Sequence, residues 1–398
     1  MKYKYVALLS IGHLVTDINQ GALPALLPFF ITAHGLSYTA AAGIVFALNM
    51  SSTVIQPLFG HAADRFSKPW LLPAGLIMAG SGLALTGISS NYAWIVVLSV
   101  VSGVGIAAYH PEAARRVHFL AGDRSGTAMS LFGVGGTLGF ACGPIIATSA
   151  MLYWGINGTL ILFVPVSVMA LVMATQLSRV AGPETSPGPL KTAGKRAALQ
   201  DEWLPFIRLT LIIIGRAVIF YGLNTFIPLY WIHVLHESKA AGGIALAVFA
   251  TTGVLGNLLG GNLADRIGHK KVILLAFLSL AVFFPCLVWV DNVRIAMFLL
   301  VPISLTLSGV YSPTIVLGQR YLPNRIGLSS GVTIGIAISI GGGATPVIGK
   351  IADIYGIRLA LASLAFLPLL TAAMALTLPS PQKVDQKGQQ RDQQNDVK

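Results

Sequence analysis

Two acids stand where acids are costly. Of the fourteen Asp and Glu residues, only Asp17 and Glu112 fall well inside long apolar runs; Asp64, Asp265 and Asp353 sit at the ends of runs and the others lie between or beyond them. A carboxylate in such surroundings costs about several kcal/mol unless it faces a cavity, finds a cation, or binds and releases a proton. His13 precedes Asp17 by four residues, which on a helix puts imidazole and carboxylate on one face within reach of each other. We read the pair as a proton-binding unit whose affinity changes as its surroundings open to one side or the other. The competing reading is a packing hydrogen bond between helices.

The second acid belongs to Ala107-Ala108-Tyr109-His110-Pro111-Glu112-Ala113-Ala114-Arg115-Arg116. Pro111 lacks an N–H and bends a helix at His110, which can turn Tyr109 and His110 into a cavity as substrate and proton contacts. Glu112 is placed to pair with Arg115 or Arg116 on its own helix, so an ion pair and a proton-coupling role stand side by side. Arg216 is a lone arginine deep in another run and needs an anion: a substrate phosphonate or carboxylate, or Asp17 across a cavity. Asn49, Thr53 and Gln56 form a polar stripe at helical spacing, with Asn257 as the later counterpart of Gln56. Tyr221 and Asn224, beyond Arg216 in its run, and Tyr311, the counterpart of Tyr109, complete the candidate substrate contacts.

These residues must be held by membrane helices. With 55% hydrophobic and 10% charged residues, the chain carries less than half the charge of an ordinary soluble domain, roughly 25%. Twelve apolar runs, from 5–32 to 357–378, are each long enough to cross the bilayer as a helix. The fold class expected is all-α integral membrane, twelve transmembrane helices in two parallel six-helix halves around a central cavity. The basic start Met1-Lys2-Tyr3-Lys4 leads into a run too long for a signal peptide, so the first span is read as retained.

The net charge of +12 sits mainly in alternate loops, among them Arg65 and Lys68, Arg115 and Arg116, Lys191 to Arg196, Arg266 to Lys271, and Arg320 and Arg325. That is the pattern of cytoplasmic loops, which places both termini in the cytoplasm and leaves no nucleic-acid face. Cys142 and Cys286 lack CxxC spacing, His110 and Glu112 point apart on a helix, and no HExxH is present, so neither a metal, a cofactor nor an enzyme is expected.

The sequence repeats. Gly60-His61-Ala62-Ala63-Asp64-Arg65 recurs as Gly261-Asn262-Leu263-Ala264-Asp265-Arg266, and 265 minus 64 is 201. Arg124 and Gly126 recur as Arg325 and Gly327 at the same offset, and Pro111 with Pro313 and Pro144 with Pro346 are 202 apart. A constant offset at separated landmarks indicates a duplicated unit, the arrangement that forms a substrate site at the midplane between halves. The boundaries expected are 1–181 for the first half, 182–204 for a Pro/Gly-rich cytoplasmic linker, 205–379 for the second half and 380–398 for a disordered polar tail.

Two such repeats with Gly-x-x-x-Asp-Arg after spans two and eight resemble the major facilitator superfamily. The second copy continues through Gly268, His269, Lys270 and Lys271 as that motif does, whereas Phe66-Ser67-Lys68-Pro69 departs from it. Gly135-Gly136-Thr137-Leu138-Gly139-Phe140-Ala141-Cys142-Gly143-Pro144 is similar to the glycine-proline element of superfamily antiporters, with Gly139, Gly143 and Pro144 as a helix pivot. The superfamily's usual arginine four before a glycine in span four is replaced by Ser99 before Gly103.

More narrowly, Ser10-Ile11-Gly12-His13-Leu14-Val15-Thr16-Asp17 and His110-Pro111-Glu112 with Arg115 resemble the fosmidomycin-resistance branch. The resemblance implies a proton-driven antiporter in the bacterial inner membrane, exporting a small polar or anionic compound by alternating access. Protons, the small-molecule substrate and the bilayer are its partners, and the chain is expected to be monomeric. A proton-driven importer or a metabolite or metallophore exporter is the alternative, and a receptor or scaffold the remote one. Gly60, Asp64 and Arg65, with Gly261, Asp265 and Arg266, are read as cytoplasmic latches pairing with helix ends or with Arg115 and Arg116.

Overall fold

A computed structural model describes residues 3–65, 68–121, 125–181, 200–325, 328–329, 332–333 and 337–379. Side chains are described for these except residues 60–65, 125–126, 181 and 337–338. Gly60, Asp64 and Arg65 of the first loop motif therefore fall outside the described side chains. Residues 182–199 of the expected 182–204 linker, and the expected tail 380–398, fall outside the described residues.

The described residues are almost entirely helical, with no strand among them. The first group comprises α1 (Tyr3–His34), α2 (Tyr38–Arg65), α3 (Leu71–Leu85), α4 (Tyr92–Ala121), α5 (Ser125–Trp154), α6 (Phe163–Thr175) and the short α7 (Leu177–Ala181). After the linker come α8 (Trp203–His233), α9 (Lys239–Ile267), α10 (His269–Trp289), α11 (Val293–Gly309), α12 (Tyr311–Tyr321), α13 (Ala337–Tyr355), α14 (Ile357–Leu364) and α15 (Leu367–Leu376). Ten stretches among the described residues are long and apolar enough to cross a membrane, and one of them, Thr127–Thr175, contains both α5 and α6. The chain is an all-helical integral membrane protein.

Local chemistry explains several boundaries. Ser238 caps α9 by accepting from the Ala241 N–H at 3.1 Å, and Asn292 caps α11 by accepting from Arg294 and Ile295. Gly268 ends α9 at a φ of 96°, a conformation that an L side chain rarely adopts, which accounts for a glycine at this point of the loop motif. Large apolar side chains remain exposed along the helices, including Leu171 and Phe298. Trp94, Tyr153, Trp154 and Trp289 are exposed at the helix ends away from the chain termini, as an interfacial aromatic belt requires.

The most extensive helix pairing is α1 against α5. Glycines permit it: a Cβ on Gly139 would meet the Leu14 carbonyl oxygen at 2.1 Å, one on Gly143 the Ala22 nitrogen at 2.5 Å, and one on Gly21 the Phe140 carbonyl oxygen at 2.1 Å. Backbones that touch leave no room for side chains. Between the two groups, α2 packs on α13, α5 on α9, and α1 on α8. Contacts at this seam cluster toward the ends away from the termini, where Asp353 accepts from the backbone N–H groups of Tyr38 and Thr39 and Lys239 donates to Thr32.

Candidate functional site

Helices α1, α4 and α5 bring His13, Asp17 and His110 together along the middle stretches of α1 and α4. His13 Nε2 lies 3.3 Å from Asp17 Oδ2, and His110 Nε2 lies 2.9 Å from Asp17 Oδ1, with all three side chains nearly buried. The His13 and His110 rings meet edge to face, their centroids 4.8 Å apart, and His13 stacks on Phe132. Gly136 closes the site from α5, where a Cβ would fall 2.5 Å from His13 Nε2 and 2.7 Å from Asp17 Oδ2.

His13 Nδ1 is 2.7 Å from the Phe132 carbonyl oxygen. A carbonyl only accepts, so Nδ1 carries hydrogen. In a neutral ring Nε2 would then aim a lone pair at the Asp17 carboxylate. The contact becomes attractive once one more proton sits on Nε2 or on Asp17, so the arrangement has the chemistry to hold a proton. The three groups offer atoms within 4.8 Å of one another, but contacts of 2.9 and 3.3 Å are hydrogen-bond and ion-pair lengths, which suits a shared proton.

The remaining residues of the 107–116 stretch divide differently from the sequence reading. Tyr109 is fully buried, donates its hydroxyl to the Leu9 carbonyl at 2.8 Å and fits against Gly12 and Gly75. It is a packing residue between helices, not a cavity contact, because its ring lies on the apolar side of α4 while His110 takes the polar one. Glu112 is fully buried and accepts from Arg116 Nε at 2.8 Å, with Arg115 Nη1 3.9 Å from its other oxygen. This is an internal ion pair at helical spacing, separate from the His13 and Asp17 cluster.

Arg216, on α8, reaches a second site. The break between α11 and α12 at Val310 leaves the last carbonyls of α11 without helical partners. Arg216 Nε donates to one of them, that of Leu307, at 2.8 Å. Its guanidinium carbon lies 5.1 Å from the Tyr311 ring centroid and 5.7 Å from that of Phe220. The group borders a cavity of about 160 Å³ that Thr137 and Phe140 of α5, Phe249 and Asn257 of α9, and Ser308 also line. No carboxylate pairs with Arg216 among the described residues.

Of the other candidate substrate contacts, Asn49 is buried and accepts from Gln20 at 2.9 Å, a bond between α1 and α2. Asn224 is buried, Gln56 and Tyr221 are half-buried, and none of the four lines the Arg216 cavity. Asn257 and Tyr311, which entered the sequence reading as repeat counterparts, do line it. Phe140 and Phe249 were not foreseen, because an aromatic in an apolar run carries no mark of which way it faces. Asp265 and Arg266 are exposed at the end of α9 and form no ion pair among the described residues. Gly261 faces Ser312 at ordinary contact distance.

The chain is 28% identical over 380 residues to the fosmidomycin resistance protein of Escherichia coli (strain K12), covering 95% of this chain and 93% of that one. It is 31% identical over 398 residues to the uncharacterized MFS-type transporter YfnC of Bacillus subtilis (strain 168), covering 96% and 94%. Its fold is similar to that of a bacterial homolog of the human lysosomal transporter Spinster, with a TM-score of 0.81 at 14% identity, covering 95% of this chain and 97% of that one. The family model described as Major Facilitator Superfamily matches residues 9–346, and the chain belongs to that superfamily of membrane transporters.

Proposed function

We propose that the protein is a proton-coupled antiporter that exports a small organic anion by alternating access. The observation that carries this reading is the His13 tautomer: Nδ1 is committed to the Phe132 carbonyl, so Nε2 faces Asp17 comfortably only when the pair holds an extra proton. Asp17 is the fixed counter-charge, His13 and His110 are the groups that share the proton with it, and Arg216 is the anion contact. Helix α5 joins the two sites, since Gly136 touches the histidine cluster and the next residue, Thr137, lines the Arg216 cavity. Gain or loss of a proton alters the packing of α1 on α5 and thereby biases which face of the cavity is closed.

Two halves, 1–181 and 205–379, rock about this centre in a monomer whose termini are both cytoplasmic, an orientation supported by the basic residues of alternate loops. Export rather than import is supported by the similarity to the Escherichia coli relative, a resistance protein, and by the near-complete coverage of that match. Everted membrane vesicles energised by respiration test the reading. A panel of organic anions that includes fosmidomycin and benzoate is added while lumenal pH is followed by dye fluorescence. At least one anion should alkalinise the lumen in vesicles with the native chain and none in vesicles with Asp17→Asn at equal protein level. Undiminished proton exchange in Asp17→Asn would overturn the assignment.

A further inference from the structure

We infer that the cargo anion carries a single negative charge on a compact apolar body, an aromatic or cycloaliphatic monocarboxylate in chemical class, and is not a small, fully polar dianion. The inference rests on the reading of Arg216 as the anion contact and adds what the rest of the cavity demands.

The charge count comes first. Among the described residues, Arg216 is the only formally charged one lining the cavity. Its other electrostatic neighbours are the phenols of Tyr221 and Tyr311, which are neutral at physiological pH. With Nε held by the Leu307 carbonyl, the two Nη groups remain to meet a ligand. A guanidinium pairs well with one carboxylate in a forked geometry. A second negative charge would enter a largely apolar space with no cation to meet it, which costs affinity.

The neutral donors agree. Ser312 donates its hydroxyl to Asn257 Oδ1 at 2.8 Å, so what Asn257, a lining residue, has left to offer a ligand is its amide N–H groups. The Thr137 hydroxyl is spent on carbonyls of its own helix. With the hydroxyl-bearing Ser308 and Tyr311 also on the wall, the cavity offers several neutral donors but one positive charge, which suits a single acid group.

The rest of the wall is apolar, three phenylalanines with Ala250, Gly253 and Val254. Phe140 of α5 and Phe220 of α8 lie 6.3 Å apart between centroids with planes tilted by 30°, and Phe249 of α9 lies 6.0 Å from Phe220. These three rings belong to different helices and come from both sides of the seam. A flat apolar body beside the acid group would bury against them and displace water from surface that a small hydrophilic anion leaves wet. The volume of about 160 Å³ lies below the roughly 300 Å³ at which drug-sized sites begin, so the body is compact, of the size of one ring.

The test is a set of matched probes titrated into the purified full-length chain by isothermal calorimetry near neutral pH. Benzoate and cyclohexanecarboxylate represent the proposed class, acetate a monoanion without the body, sulfate a dianion, and benzamide the body without the charge. Benzoate should bind at least about tenfold more tightly than acetate, sulfate and benzamide, an effect of the size expected for a desolvated aromatic anchor. Arg216→Ala should remove the preference for benzoate over benzamide, and Phe140→Ala, at a half-buried position, should shrink the preference for benzoate over acetate while leaving acetate unchanged. The ranking within the native chain does not depend on either variant folding. If sulfate or acetate binds as tightly as benzoate, the cavity selects charge alone: the inference fails while Arg216 stands as an anion site. If benzamide equals benzoate, or no anion shows binding that depends on Arg216, the anion reading fails as well.

Discussion

Gly136 and Thr137 are neighbours in sequence yet face two different sites. The missing side chain of Gly136 lets α5 lie against His13 and Asp17, whereas Thr137 lines the cavity at Arg216. One turn of one helix thus touches both the His13, Asp17 and His110 cluster and the Arg216 cavity. In the mechanism proposed above, that juxtaposition lets the occupancy of one site be felt at the other.

Adding a methyl group at this point should uncouple the sites. In Gly136→Ala the Cβ would fall 2.4 Å from His13 Cε1 and 2.5 Å from Nε2, so the imidazole must move. Anion-dependent proton exchange in vesicles should drop by at least about tenfold, the effect expected when a positioned proton carrier is displaced. Benzoate binding measured by calorimetry should survive. Gly133→Ala, where nothing lies within 4 Å of the new Cβ, is the control and should behave as the native chain does.

The glycines below this point hold the helices together instead. A Cβ at Gly139 or Gly143 meets the backbone of α1, which cannot swing aside as a side chain can. Each alanine substitution should destabilise the protein by about 1–3 kcal/mol through overpacking. A fall in the melting temperature of the detergent-solubilised chain, larger than that for Gly133→Ala, checks this.

Glu112 and Asp17 should respond in opposite ways to loss of charge. Glu112 has no exposure and is bonded to Arg116, so Glu112→Gln removes one charge of a buried ion pair. Breaking a buried pair costs about 3–5 kcal/mol, and the variant should show a markedly lower melting temperature and yield. Asp17→Asn keeps two hydrogen-bonding histidines beside a neutral amide and should fold while losing proton exchange. Thermal unfolding of the two variants, measured together, separates a structural acid from a coupling one.

At the far end of the seam, Asp353 of α13 caps the first residues of α2 through Tyr38 N–H at 2.7 Å and Thr39 N–H at 3.0 Å. Partial burial alone would raise its pKa. Hydrogen bonds from the hydroxyl and backbone N–H of Thr39 and from Tyr38 more than offset this, leaving the carboxyl below its ordinary range. A depressed carboxyl contributes its stabilisation above the unfolded value and loses it only as pH falls through the folded one, so this clasp should hold unchanged through neutral pH. Asp353→Ala removes a cap worth about 0.5–2 kcal/mol and should favour opening on that face. The rate at which a membrane-impermeant maleimide labels Thr148→Cys, buried in the same seam against Gly243, should rise several-fold in this background.

What could be read from sequence follows from what is local. His13 and Asp17 share a helix, so four-residue spacing was enough to pair them, and the offset of 201 between loop motifs was enough to expect a duplicated membrane fold. His110 joins the pair only through the depth at which α4 crosses α1, which no spacing encodes. The Phe132 carbonyl is backbone and has no signature at all. Tyr109 and His110 are adjacent and looked equivalent, but successive helical residues point about 100° apart, and only the imidazole faces Asp17. Arg216 was legible as a cation without a partner; the aromatic wall beside it was not, because Phe140 and Phe249 look the same in a sequence whether they face lipid, core or cavity.

The central claim, that His13, Asp17 and His110 bind the coupling proton, is tested most directly by proton release. Purified native chain in weakly buffered detergent solution is mixed with a saturating anion while a pH indicator reports free protons. Binding of the anion should release protons from the native chain, and Asp17→Asn should bind the same anion with no release. Equal proton release from Asp17→Asn would place the coupling proton elsewhere and contradict the account.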